Sequence, residues 1–346
     1  CSFFNINPKP NSIFKTMAVS IADIQKLRKM TGAGLSDCKK ALTETEGNFD
    51  KAVEIIREKG QAIAAKRSDR ETSNGCVLVK YADNFGAIVA LKCETDFVAN
   101  GADYIKLTQD ILDAAVAAKA KSLDEVKELT LADGTKVLDA VVARSGITGE
   151  KMELDGYNFI EGENISTYDH MGKHTLCTMV QTNKAAEEQA HAIAMQVAAM
   201  KPMFLDEASV SQEFIEEEKK VAAEKTKQEL VQKAVDAALK KAGINPAHVD
   251  SEEHMESNMG KGWITAEDVA KAKEIIATVS AEKAANLPAQ MIENIVKGRI
   301  NRIYKENCLL NQEFIQDSKL SVADYLKAAD KDLTVVDYKR FSLSAD

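Results

Sequence analysis

Cys76-Val77-Leu78-Val79-Lys80-Tyr81 leads into Asp83-Asn84-Phe85-Gly86, and Ala87-Ile88-Val89-Ala90-Leu91-Lys92-Cys93 leads out of it. Two short runs rich in β-branched and apolar residues, joined by a Gly-containing turn, predict a β-hairpin. Thr95-Asp96-Phe97-Val98 follows, and a helix is expected from about Asp103 to Lys119. On the residues alone, Phe97 reads as a core phenylalanine closing the strand, since buried Phe is common. Asp96 reads as the N-cap of the helix behind it. A pair of hairpin strands followed by a helix, in place of strict strand-helix alternation, sets the fold class as α+β.

Upstream of the hairpin the period is helical. Ile21, Ile24, Leu27 and Met30 fall on one face, and Ser20 with Asp23 forms a cap pair. Thr31-Gly32-Ala33-Gly34 stops that helix with two glycines available for left-handed backbone. A second helix starts near Ser36 or Asp37, places Cys38, Ala41 and Leu42 inward, and breaks at Gly47-Asn48. A third carries Phe49, Ala52, Val53 and Ile56 and ends near Gly60. Residues 17–60 thus read as a three-helix bundle whose core is barely large enough to stand alone. Residues 61–74 are polar and read as a linker. Cys1 to Thr16, with Pro8, Pro10 and no helical period, reads as a disordered extension (1–16) before Met17.

Downstream, helical stretches cover Leu123 to Leu129 and Lys136 to Arg144, closing a first unit at 75–150. A second strand-rich region runs from Met152 through Gln181 and is followed by a helix from Ala185 to Lys201, which Pro202 ends. This repeat of paired strands and then a helix, over 151–208, suggests an internal duplication. Residues 209–242 carry a loose stripe of Val221, Leu230, Val231, Val235 and Leu239. Gly243 to Gly262 reads as a polar loop, and a second long helix runs from Thr265 to about Ala285. Together 209–287 predict an antiparallel helical hairpin. From Pro288 another helix buries Met291, Ile292, Ile295, Val296 and Ile303 behind a basic face of Lys297, Arg299, Arg302 and Lys305. A short helix and a strand from Thr334 to Leu343 complete 288–346.

At 346 residues the chain is longer than one typical core. Net charge is −9, the reverse of the basic excess that a counterion-releasing nucleic-acid binder carries. No direct nucleic-acid role is expected, and a cytoplasmic protein with a basic-patched partner is. Cys1, Cys38, Cys76, Cys93, Cys177 and Cys308 are scattered without a CxxC, which argues against zinc and against a disulfide framework. No apolar run reaches membrane-span length. Gly146 to Lys151 superficially resembles a phosphate loop but lacks its spacing and ending, and Gly260-Lys261-Gly262 fails likewise; both read as turns. His170 and His174 lack a ligand set around them. A Cys93–His170 nucleophile pair rests only on the residues being present, and Trp263 reads as either a partner anchor or local packing. No cofactor, no resident metal and no catalytic residue is expected.

Three stretches carry a resemblance. Leu27-Arg28-Lys29-Met30-Thr31-Gly32-Ala33-Gly34-Leu35-Ser36-Asp37-Cys38-Lys39-Lys40-Ala41-Leu42 closely resembles the N-terminal signature of the elongation factor Ts family. Cys93-Glu94-Thr95-Asp96-Phe97-Val98-Ala99 resembles its second signature, and Ala192-Ile193-Ala194-Met195-Gln196-Val197-Ala198-Ala199-Met200-Lys201-Pro202 a third. Their order and spacing also fit. The likeness covers most of Met17 to about Pro202 and returns more weakly from Pro288 to Phe341.

The resemblance implies an N-terminal bundle of the ubiquitin-associated type, a core of two similar α/β subdomains, a helical hairpin and a C-terminal module. It implies a nucleotide exchange factor, not an enzyme, for elongation factor Tu in its GDP-bound and nucleotide-free forms. Thr95, Asp96, Phe97 and Val98 are then the partner-binding turn that dislodges Mg²⁺, with Phe97 as the wedge and Asp96 hydrogen-bonding beside it. Arg28, Leu35 and Ser36 would grip the GTPase domain, and Gln196 a second partner domain. Some relatives carry a His where this chain has Gln196, and residues from about 226 to 275 are longer than in well-known relatives. Both a monomer and a homodimer in the complex stay open. The rival reading is a bundle-bearing interaction scaffold without exchange activity.

Overall fold

The computed structural model describes residues 19–344. The reading of Cys1 to Thr16 as an extension before Met17 lies outside them. By contact density the chain divides into one unit formed by residues up to Lys201 with 329 onward, and a second from Pro202 to Ala328.

The first unit opens with α1 (Ile21–Thr31), α2 (Leu35–Glu44) and α3 (Phe49–Lys66). Ser20 and Asp23 close a reciprocal capping box on α1, Gly32 ends it at φ 69°, and Asn48 caps α3. Leu27, Ala33, Cys38, Ala41, Leu42 and Ala52 form the small core. The expected inner face of α1 is narrower than its period suggests. Leu27 is buried, whereas Ile21 and Met30, at its two ends, overhang a core too small to cover them. Nor does α3 end at Gly60. It runs on to Lys66, because Gly60 sits where α3 crosses another helix and the residues beyond it stay helical.

β1 (Asn74–Ala82) and β2 (Phe85–Cys93) form the expected hairpin, turning through Asp83 and Asn84, both at positive φ. There follow α4 (Asp96–Ala99), α5 (Ala102–Ala118), α6 (Leu123–Glu128) and α7 (Val137–Thr148). Next come β3 (Met152–Glu161), β4 (Ile165–Asp169), β5 (Leu176–Thr182) and α8 (Glu187–Met200). The strand-rich region after Met152 does not stay together. β3 pairs with β2 in a sheet ordered β1-β2-β3, and β4 and β5 start a second sheet that the C-terminal strand completes. Each sheet is thus a hairpin, a helix, and a later third strand laid antiparallel beside the hairpin's second strand.

β2 is buried almost throughout, because the first sheet is covered on both faces. Phe85, Ala87, Val89, Leu91 and Cys93 point to a core shared with α5, α6 and α7. Ile88 and Ala90 point the other way, to Ile165, Cys177 and Met179 of the second sheet. The sheets approach closely where side chains are missing: a Cβ on Gly156 would fall 2.4 Å from the Phe341 ring. α8 covers the far side of the second sheet, with the Thr178 hydroxyl donating to Ala194 O at 2.9 Å.

The second unit contains α9 (Gln212–Lys241), α10 (Glu252–Gly260), α11 (Ala266–Ala285), α12 (Ala289–Asn307), β6 (Glu313–Phe314), β7 (Asp317–Ser321) and α13 (Val322–Ala329). β8 (Val335–Ser342) then pairs with β5 in the first unit's second sheet. Val235 and Leu239, late in α9, pack with Val269 and Ala272, early in α11, so those helices run antiparallel. Gly243 to Gly262 is not a polar loop. Ile244, Val249 and Met255 are buried there with Ile264, giving the hairpin a folded head around α10. α12 packs Val296, Ile300 and Ile303 against Ile215 and Phe214 of α9, so it belongs with the hairpin, and Met291, expected inside, is exposed.

Candidate functional site

β2 ends at Cys93, and the chain must turn before α5. Thr95 provides the turn. Its backbone is extended, and its hydroxyl accepts the Val98 N–H at 3.4 Å. Thr95, not Asp96, is therefore the N-cap, and Asp96 is the first residue of the short helix, where its charge suits the positive end. At the other end Asn100 Nδ2 donates to Asp96 O at 2.9 Å. Ala99 is buried and Val98 half-buried against the core of the first sheet. Phe97 points the opposite way and is 85% exposed. The core-phenylalanine reading is excluded by that exposure: this ring contributes almost nothing to folding.

A one-turn helix is not self-sustaining, and its neighbours hold it. The Glu150 carboxylate accepts from Thr95 N–H at 3.0 Å and from the Thr95 hydroxyl at 2.6 Å. Glu150 stands just after α7, where Gly149 takes φ 73° as the helix C-cap and Ser145 Oγ donates to Glu150 O at 2.6 Å. Glu94 is held as firmly. It accepts Lys151 N–H at 2.6 Å and both its oxygens lie 2.9 Å from Arg67 Nη1, at the end of α3. The Lys151 amide holds the Glu94 carboxyl below the usual range, outweighing the opposing effect of burial, and the Arg67 guanidinium adds to it. Asn74 Nδ2 donates to Glu94 O at 2.9 Å, and the Tyr104 hydroxyl donates to Leu91 O at 2.8 Å.

The other expected residues stand on separate elements. Arg28, Leu35 and Ser36 are exposed around the Thr31–Gly34 turn of the bundle. Met30 (57% exposed) and Leu35 (48%) give that turn an apolar surface beside the Arg28 charge. Gln196 stands apart from these. It is fully buried on α8, on a helix whose Ala190, Ile193, Ala194 and Val197 also face inward, so its amide is not a surface contact in this conformation. The exposed residues of that helix include His191 and Met200.

Burial raises the Cys93 thiol above its ordinary value and pushes Cys76 up to about 12, so neither is an activated thiolate. His174 is paired with Asp169, and His170 Nδ1 lies 3.1 Å from the Tyr168 hydroxyl. Among the described residues no cluster of three or more His, Cys, Asp or Glu could hold a metal ion. Gly146 lies inside α7 and Gly149 caps it, whereas Gly260 ends α10 and Gly262 turns at φ 73°. Trp263 packs against His248, with ring centroids 5.5 Å apart, and the Lys261 ammonium stands over it. Among the described residues no helix is long and apolar enough to cross a membrane.

Sequence reasoning missed Glu150 and Arg67. The signal for Glu150 was present as a glycine followed by a carboxylate at a helix end, but nothing local shows that its target lies 55 residues earlier.

A model of the family described as Elongation factor TS matches residues 94–345. Elongation factor Ts of Bacteroides fragilis is 68% identical over 331 residues, spanning 95% of this chain and all of the relative. That of Bacteroides thetaiotaomicron is 66% identical and that of Porphyromonas gingivalis 43%, each over 331 residues with the same coverage. With the family match running from the Thr95 turn through the hairpin to β8, and these relatives spanning 95% of the chain, the chain belongs to the elongation factor Ts family.

Proposed function

We propose that this chain is a guanine-nucleotide exchange factor for elongation factor Tu, binding the GDP-bound GTPase and speeding GDP release so that GTP can enter. The observation that carries the reading is Phe97, a large apolar ring held out at 85% exposure on a turn braced from two sides. Family membership supplies the partner, a GTPase whose nucleotide phosphates sit in backbone amide cradles with a bridging Mg²⁺. Phe97 enters the GTPase domain and displaces backbone near the Mg²⁺ site, while Asp96, exposed at the same turn, hydrogen-bonds beside it.

Magnitudes require more than the wedge. A thousandfold faster release needs a barrier lower by about 4 kcal/mol, and burying one Phe supplies about 1.5–3 kcal/mol. The remainder comes from a grip by Arg28, Leu35 and Ser36 on the GTPase domain and by the exposed side of α8 on another partner domain. That second grip centres on α8 around Gln196, which is buried on the helix in the free protein. Linkage makes the effect reciprocal: GDP weakens factor binding by the factor by which the factor weakens GDP binding.

The test is release of a fluorescent GDP from elongation factor Tu after addition of this protein. Concentration-dependent acceleration is expected. Tight binding with unchanged release would replace the exchange reading with the scaffold reading, which the exposed apolar surface of the bundle would also serve.

A further inference from the structure

Resting on the exchange reading, the geometry points to Glu150 as the positioning residue that holds the Phe97 turn in its working orientation. The need for such a residue follows from the turn itself. α4 has only four residues, too few to hold a helical turn by its own hydrogen bonds. Its most apolar side chain faces solvent, so burial of Phe97 cannot fix the turn either. The anchors are Ala99 and Val98 on the core, the Cys93 thiol donating to Thr95 O at 3.2 Å, and the two hydrogen bonds from Thr95 to the Glu150 carboxylate. Those two bonds fix the cap residue through its backbone and its side chain together. The same Thr95 hydroxyl that donates to Glu150 accepts the Val98 N–H, so the carboxylate polarises the bond that closes the turn.

Glu150 is itself fixed from behind. Gly149 at φ 73° swings the chain out of α7, Glu150 N–H donates to Thr148 Oγ1 at 3.3 Å, and buried Ser145 donates to Glu150 O. α7 crosses α3 where Gly146 meets Gly60, and Arg57 of α3 pairs with Asp139 of α7 at 3.1 Å. The element that carries Glu150 is therefore also the one on which the N-terminal bundle sits. A partner gripped by the bundle would meet Phe97 at a set position, and Glu150 is the last link in that chain. A wedge that loses this link still reaches its target, but spends less time aligned with it.

The experiment compares Glu150→Ala, Glu150→Gln, Phe97→Ala and the double variant Glu150→Ala/Phe97→Ala in fluorescent-GDP release from elongation factor Tu. Release rate at saturating factor and half-saturating concentration are read separately. Glu150→Ala is expected to lower the saturated rate about tenfold, the size of losing a charged hydrogen bond to the turn, with half-saturation and melting temperature little changed. Glu150→Gln, which keeps an acceptor for the Thr95 N–H, should fall between. The double variant should be no slower than Phe97→Ala alone, because both act through one ring. A purely structural Glu150 would instead lower melting temperature and add its effect to that of Phe97→Ala. Additivity, or a wild-type saturated rate in Glu150→Ala beside a slowed Phe97→Ala, overturns the positioning role alone. A wild-type rate in Phe97→Ala overturns the wedge and the positioning role with it, whereas no acceleration by the wild-type protein overturns the exchange reading.

Discussion

Glu94 shows how single residues prepare the turn for use. Its carboxyl is held below the usual range first by the Lys151 amide and then by Arg67. A depressed carboxyl stabilises the fold above its unfolded value, and that stability is lost as pH falls through the lower folded value. The acid limb of a stability profile, at and below the ordinary glutamate value of 4.5, should therefore be flatter in Glu94→Gln, which should also be less stable than wild type at neutral pH. Chemical denaturation across pH 3 to 7 would check both, the range being about that of ordinary carboxylate titration. An unchanged acid limb would mean the Arg67–Glu94 pair does not matter to the fold. The thiols are the opposite case. Cys76 and Cys93 are buried and shifted upward, so alkylation of native protein at neutral pH should leave both unmodified until the chain unfolds. Rapid modification of Cys93 in the folded state would reopen a thiol role.

Helix α7 carries the arrangement at the next scale. A Cβ on Gly146 would lie 2.5 Å from the Gly60 Cα, backbone against backbone, with no flexible side chain to give way. Ala would gain about 1 kcal/mol from helix propensity, but the clash costs about 1–3 kcal/mol, so Gly146→Ala should destabilise. Gly298, inside α12, has open space at its Cβ position, and Gly298→Ala should gain about 1 kcal/mol. Denaturation midpoints of the two variants should move in opposite directions. Much at this scale was legible in the chain. The Ser20–Asp23 box, the Gly32 stop and the β1–β2 hairpin are local chemistry, and local chemistry is written in neighbouring residues. The crossing of α3 on α7 was not, because a glycine inside a helix reads as a weak point until its partner glycine, 86 positions away, is seen (146 − 60). Nor was the pairing of β3 with β2, since alternation marks a strand without naming its neighbour. The Gly243–Gly262 head was misread because its few apolar residues are spaced too widely to show a period.

The whole chain is a pair of units, and the signatures that resemble one family fall in the first, save Pro202 at the end of the third. The resemblance to the family marked Thr95 to Val98 as a set, but only the structure separates Phe97, which is out, from Val98 and Ala99, which are in. Gln196 shows the converse: a signature position that the fold turns inward. The second unit is expected to stand on its hairpin head. Leu239, buried there between α9 and its neighbours, should cost about 2–5 kcal/mol on truncation to Ala. Faster amide exchange in α9, α10 and α11 would report it, and unchanged exchange would show the head to be loosely packed. The proposed exchange activity asks for a grip in several places and a wedge in one, and the two are separable by experiment. The decisive measurement is the rate of fluorescent-GDP release from elongation factor Tu at saturating Phe97→Ala, with binding of the variant to the nucleotide-free partner measured alongside. Release slowed at least tenfold, about 1.4 kcal/mol and below the worth of one buried Phe, with binding largely kept, is the expected result. Wild-type release by a variant that binds normally would contradict the wedge.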